Sequence, residues 1–125
     1  MIQQEGNGWR IAWDPSRVEF PVLVGGEFWA FELTDAEWKS LVKLVLDLLD
    51  EHQKLKSQLM DQESLTLEIE REFCWASLEG DKDKWSLQVI LDSEGDHCRG
   101  VEAYWPNSIA KDFTHGLRIV WEAYQ

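Results

Sequence analysis

Leu33-Thr34-Asp35-Ala36-Glu37-Trp38 opens a long apolar run that continues to Leu55, and the reading of this stretch decides the fold. The Thr34 hydroxyl can accept from the Glu37 backbone N–H while the Glu37 carboxylate accepts from the Thr34 N–H, a capping box that starts a helix. Leu33 and Trp38 hold the two positions of a hydrophobic staple, and Asp35 and Glu37 put negative charge in the first turn, where the helix dipole favours it. At the α-helical step of about 100° per residue, Trp38, Leu41, Val42, Val45, Leu48, Leu49, His52 and Leu55 form one stripe. Leu44 and Leu46 widen that stripe to roughly 200° of arc. A helix lying on a single sheet needs only a little over about 100°, so this one should touch two surfaces. Trp38, Leu44, Leu46 and Leu48 are therefore the candidate interaction surface, covered either by the rest of the chain or by a second copy in a homodimer.

The 125 residues are 44% hydrophobic and 29% charged, which suits a single soluble domain with a real core. Most of the eight Trp recur at strand or helix spacing, so they are read as core side chains first. Twelve basic residues against twenty-four acidic ones give a formal charge of -12, which repels phosphate backbones and anionic lipid at long range. The charge serves solubility and, if it serves recognition, suits a basic protein partner. Cys74 and Cys98 make no metal spacing, and the start MIQQEGNGWR lacks the basic and apolar regions of a signal peptide. Reduced thiols and a cytoplasmic location are expected. Lys39, Lys43, Asp47 and Asp50 interrupt the apolar run well short of the ~20 residues of a membrane span.

Along the chain, Trp9, Ile11 and Trp13 alternate as a half-buried strand ending at the turn former Asp14-Pro15-Ser16. Val18, Phe20, Val22 and Val24 share one face of a second strand, in which Pro21 suggests an edge or a bulge. Gly25-Gly26 reads as a two-residue hairpin turn with positive φ, and Glu27 to Leu33 returns as a third strand into the capped helix. After a polar connection from Lys56 to Ser64, Leu65, Leu67, Ile69, Phe73 and Trp75 share one face with Arg71, opposite Thr66, Glu68, Glu70, Glu72 and Cys74. A loop at 79–83 leads to Trp85, Leu87, Val89 and Leu91 on the inner face of the next strand. A second loop at 93–96 leads to a strand from Cys98 to Trp105. Pro106 and Asn107 open the last helix, with Asn107 or Ser108 as its cap and Ile109, Phe113, Leu117, Val120, Trp121 and Tyr124 as its stripe. Gly116 within that helix costs about 1 kcal/mol relative to Ala and predicts close approach by another element. The order is βββα twice, an α+β single domain over 1–125 with pseudo-repeats at about 8–58 and 64–125. Antiparallel sheets packed with two helices are the predicted architecture.

Glu68, Glu70 and Glu72 would project from one strand face with neighbours roughly 6.5 to 7 Å apart, a separation that glycosidase or metal carboxylates can have. The plainer reading of this acidic face is a solvated surface that discourages edge pairing. Asp92, Glu94 and Asp96 around Gly95 fall short of an EF-hand loop. His97 and the adjacent Cys98 point to opposite strand faces, which makes joint ligation of a metal awkward. His52 and His115 read as structural, because no nucleophile motif stands beside either. Walker, G-x-G-x-x-G, H-E-x-x-H and G-x-S-x-G motifs are absent from the sequence. No catalytic residue, metal or cofactor is expected, and the chain reads as a non-enzyme.

At Gly8-Trp9-Arg10-Ile11-Ala12-Trp13-Asp14-Pro15, at the helix start Leu33 to Trp38, and at Tyr104-Trp105-Pro106, the chain resembles a small cyanobacterial family of uncharacterised proteins, domain of unknown function 1818. The resemblance spans nearly the whole chain and implies a fold similar to the plant Whirly and transcriptional-coactivator single-strand-binding domains, two sheet-and-helix repeats about a pseudo-twofold axis. Those domains bind single strands with basic and aromatic side chains on exposed sheet faces. Here the clearest exposed face carries Glu68, Glu70 and Glu72, and no binding residue carries over. The expectation is a non-enzymatic protein-interaction module of the cyanobacterial cytoplasm, with a basic protein or a second copy as partner. Two alternatives stay open. One is single-stranded nucleic-acid binding by analogy with Whirly-like folds, through Arg10, Arg17, Arg71 or Arg99 with nearby Trp. The other is metal-assisted or carboxylate hydrolysis at the Glu68 to Glu72 face.

Overall fold

The helix that starts at Thr34 is built as its sequence dictates: the Glu37 N–H donates to Thr34 Oγ1 at 3.2 Å and the Thr34 N–H donates to Glu37 Oε1 at 2.8 Å. The computed structural model describes residues 1–93 and 99–125. The loop acids Glu94 and Asp96, with Gly95, His97 and Cys98, lie outside the described residues. In chain order the elements are β1 (Ile2–Gly6), β2 (Trp9–Trp13), β3 (Val22–Gly26), β4 (Ala30–Leu33), α1 (Asp35–Lys56), β5 (Leu65–Arg71), β6 (Cys74–Gly80), β7 (Trp85–Ser93), β8 (Arg99–Trp105) and α2 (Ala110–Tyr124). The strands form two antiparallel meanders, β1-β2-β3-β4 and β5-β6-β7-β8, each followed by one helix. This is the expected duplicated α+β architecture, with four strands per repeat where the pattern predicts three.

The helices are exchanged between the repeats. α1 follows the first sheet but lies on β5, β6 and β7 of the second, while α2 follows the second sheet and lies chiefly on β1 and β2 of the first. That exchange covers the broad stripe of α1 from within the chain. Trp38, Leu44 and Leu48 are buried and Leu46 is half-buried, so three of the four candidate surface residues are closed off, and the homodimer expectation loses the apolar face on which it rested.

Four local readings are corrected. Ile2–Gly6 pairs with β2 although it is largely polar, across a turn at Asn7-Gly8 in which Gly8 takes φ +82°. Arg17 to Phe20 belongs to a loop, closed where the Asp14 N–H donates to Pro21 O at 2.8 Å, and Val18 is almost fully exposed. The β3–β4 turn is Glu27-Phe28, closed by the Gly26 N–H donating to Trp29 O at 2.9 Å; Gly26 instead leaves room for the Trp29 ring, which a Cβ there would meet. At α2, Pro106 O accepts from both Ile109 and Ala110 at 2.9 Å, so neither Asn107 nor Ser108 caps the helix. The proline carbonyl already satisfies the amides a cap would serve.

A chain of aromatic rings joins the two repeats. Trp9 of β2 meets Phe113 of α2 edge-on, Phe113 stacks on Trp105 of β8 with centroids 3.8 Å apart, and Trp105 meets Trp29 at 5.2 Å. Two of its indole N–H groups are held: Trp9 Nε1 donates to Asp112 Oδ2 at 2.8 Å and Trp105 Nε1 donates to Gly25 O at 3.3 Å. Gly116 is where Trp9 reaches α2, because any Cβ at that position would fall inside the indole ring. The far ends of the helices meet through Trp38, Trp121 and Tyr124, whose hydroxyl donates to the Asp35 carboxylate in the first turn of α1.

Gly116→Ala adds about 1 kcal/mol of helix propensity but overpacks a site where one methyl typically costs about 1–3 kcal/mol. The variant is expected to unfold at lower urea than the parent, and Trp9→Phe in the same chain should recover part of the loss; a midpoint at or above the parent's would show that the ring gives way freely. The Tyr124 contact has a pH signature. Burial, and then the hydrogen bond to Asp35, raise the Tyr124 hydroxyl from 10.0 to about 12. A proton held more tightly in the folded state than in the unfolded one stabilises below about pH 10, and that stabilisation is lost as pH climbs towards 12. Unfolding free energy followed across this alkaline range should fall for the parent and fall less for Tyr124→Phe.

Candidate functional site

The inner face of the second sheet is apolar because β6 and β7 alternate in step: Cys74, Ala76 and Leu78 on one strand and Leu87, Val89 and Leu91 on the other are all buried beneath α1. The alternate residues therefore project from the opposite face, over which no helix lies. Two cross-strand rows cover it, Glu68–Ser77–Gln88–Tyr104 and Glu70–Trp75–Ile90–Glu102, with Glu79 and Asp92 at the two ends. Among the described side chains this face presents five carboxylates and no lysine or arginine. Gln88 Nε2 donates to Glu102 Oε1 at 2.9 Å and orients one of the acids. Tyr104 is half exposed. Glu70, Trp75, Ile90 and Asp92 line a shallow groove of about 660 Å³ that ends at the β5–β6 turn.

The turn itself is what re-sorts the residues. Glu72 and Phe73 form a two-residue hairpin, with Arg71 paired to Cys74 and Glu72 at φ +48°. A tight hairpin puts its two flanking residues on the same face, so the inward parity changes from odd to even across it. Glu68 and Glu70 keep the outer face as read from the sequence, but Glu72 leaves it for the turn. Trp75, read as inward, is outward beside Glu70. The trio of carboxylates on one strand face therefore does not form. Among the described residues no group of three or more His, Cys, Asp or Glu side chains is placed to hold a metal ion.

Of the four arginines weighed for single-strand binding, the three whose side chains are described do not gather. Arg17 pairs with Glu32 at 2.5 Å, Arg71 pairs with Asp47 of α1, Arg10 lies on the outer face of the first sheet, and the Arg99 side chain falls outside the described ones. His52 is buried with Nε2 3.0 Å from Asp81 O. The sequence reading missed Trp75, Ile90, Glu102 and Tyr104 as neighbours of Glu68 and Glu70. The alternation of β7 and β8 was visible, but the register that aligns four strands is set by the turns.

A duplicated α+β domain with exchanged helices and one uncovered acidic sheet is the class that this architecture defines. The chain belongs to the DUF1818 family, a domain of unknown function whose profile matches residues 4–120. The crystal structure at 1.80 Å resolution of a protein of unknown function from the DUF155 family of Prochlorococcus sp. NATL2A is similar, with 45% identity and a TM-score of 0.89, and the match covers 97% of this chain and 99% of that one. No curated protein matches. Among the described residues no helix is long and apolar enough to cross a membrane.

Burial pushes the Cys74 thiol up to about 11, so it carries almost no thiolate at neutral pH and behaves as a packed apolar group. In a Cys98→Ser background, a thiol-reactive reagent at neutral pH should label Cys74 only after denaturant is added. Full labelling of the native protein would place the thiol in solvent.

Proposed function

We propose that this chain is a non-enzymatic interaction module whose uncovered second-sheet face takes a basic protein segment. The observation that carries the proposal is the row Glu70–Trp75–Ile90–Glu102, an indole and an aliphatic side chain flanked by two carboxylates on a face free of described cations. Apolar area removed from water supplies about 25 cal/mol per Å², whereas exposed ion pairs contribute only about 0.2–1 kcal/mol each. Affinity therefore comes mainly from Trp75, Ile90 and Tyr104, and the surrounding acids set the on-rate and the preference for a cationic partner. A segment with lysines or arginines alternating with apolar residues fits such a face in an extended conformation, its cations over the acids and its apolar side chains over the groove. The carboxylates support binding better than catalysis, since they stand on an open, wetted surface rather than in the water-excluded setting that carboxylate chemistry exploits. The charge of -12 supports the same partner by long-range attraction.

The test is a synthetic peptide alternating lysine and leucine, titrated into the parent, into Glu68→Gln/Glu70→Gln/Glu102→Gln, and into the charge-matched control Glu27→Gln/Glu51→Gln/Glu122→Gln. Neutralising the sheet face is expected to weaken binding about tenfold or more, with little change in the control. Trp75→Ala should weaken binding while leaving its salt dependence intact. Equal losses in the two triple variants would mean that only bulk charge is sensed and would remove the assigned face.

A further inference from the structure

We infer that the groove between α1 and α2 is a binding site for a small, multiply charged oxyanion of the pyrophosphate or phosphate-ester class. The groove holds about 480 Å³, within the usual range for small-ligand sites. It is lined by Lys56, Lys82, Lys111 and Arg118 together with His52 and His115, and by a single carboxylate, Asp50. Such a concentration of cations runs against a chain in which acids outnumber bases two to one.

The ion pairs sharpen the contrast. Elsewhere Arg17, Lys39, Lys54 and Arg71 each reach a carboxylate. In the groove only Lys82 does, meeting Asp61 at 2.5 Å, and the one lining acid is drawn towards Lys54 at 3.2 Å. Lys56, Lys111 and Arg118 have no carboxylate partner among the described residues; Lys111 Nζ has only the Asp83 carbonyl, at 3.5 Å. Three unpaired cations held around one concavity repel each other in the absence of an anion, and an anion among them relieves all three at once. Charge-assisted hydrogen bonds from Arg118 and the lysines match oxygens of phosphate type. Beneath the cations lie buried Trp85, Thr114 and His52. With His52 Nε2 facing Asp81 O at 3.0 Å, Nδ1 has no protein partner among the described residues. The floor between the helices is apolar at Leu46 and Leu49 and suits the uncharged body of a phosphate ester.

The geometry favours a small anion over a polymer. The cations sit inside a bounded groove rather than along a track, and the rest of the surface repels a long polyanion. The test is independent of the sheet face and uses inorganic pyrophosphate, titrated calorimetrically at constant ionic strength against a sodium chloride reference. Saturable binding is expected, with resonances of His115 and the Trp85 indole shifting in step. Lys111→Gln/Arg118→Gln should weaken the binding about tenfold or more, while Arg17→Gln/Lys39→Gln, which removes two paired cations that do not line the groove, should leave it unchanged. Circular dichroism of the exposed-site variants confirms that they fold. A non-saturating response equal in all three proteins would overturn the site. Tighter binding of a short single-stranded oligonucleotide than of pyrophosphate, lost in the same double variant, would overturn its assignment to a small ligand.

Discussion

Each helix packs on the sheet of the opposite repeat, and the rest of the molecule follows from that exchange. The first sheet and α1 cannot close a core together, because α1 leaves β4 and crosses to β5, β6 and β7, while the space on the first sheet is filled by α2. Fully burying a Val, Leu or Phe side chain contributes about 1.5–3 kcal/mol. Along α1 that term is realised only when both repeats are present. The Trp9–Phe113–Trp105 rings and the Tyr124–Asp35 hydrogen bond are the joints at which the two halves grip each other.

Exchange also decides which surfaces stay open. With α1 on the inner face of the second sheet, the outer face receives no helix, and its alternate positions carry Glu68, Glu70 and Glu102 around Trp75 and Ile90. The two helices touch at Trp38–Trp121, and cations from α1, α2 and the β6–β7 turn line the groove that both helices border. A chain of net charge -12 thereby separates its charges into an acidic sheet and a cationic cleft. Net charge alone would have described only the first of these.

Much of this was legible in the residues. The capping box at Thr34, the inward Trp85, Leu87, Val89 and Leu91, and the close approach at Gly116 are local signals, and all three appear where the pattern places them. β1 was missed because a polar edge strand carries almost no hydrophobic alternation, although Asn7-Gly8 is a hairpin signal that could have revealed it. The split between β5 and β6 was missed because Glu72-Phe73 lacks the Gly, Asn or Asp that announces a tight turn, and Glu72 accepts φ +48° instead. A turn with no signature conceals a change of parity, so Glu72 and Trp75 were assigned to the wrong faces. The cationic groove had no signature of any kind: Lys56, Lys82, Lys111 and Arg118 come from three separate elements.

What the amino-acid order settles by itself is whatever depends on neighbours a few residues apart: the start of α1, the width of its apolar arc, the duplicated strand-and-helix order and the excess of acid. Only the tertiary structure decided that the arc is covered by the same chain, which carboxylates share a face with Trp75, and where the unpaired cations meet. The physical reason is range. Capping and periodicity act within a turn or a strand, whereas register, packing partner and charge clustering are set by contacts between segments that the sequence holds far apart.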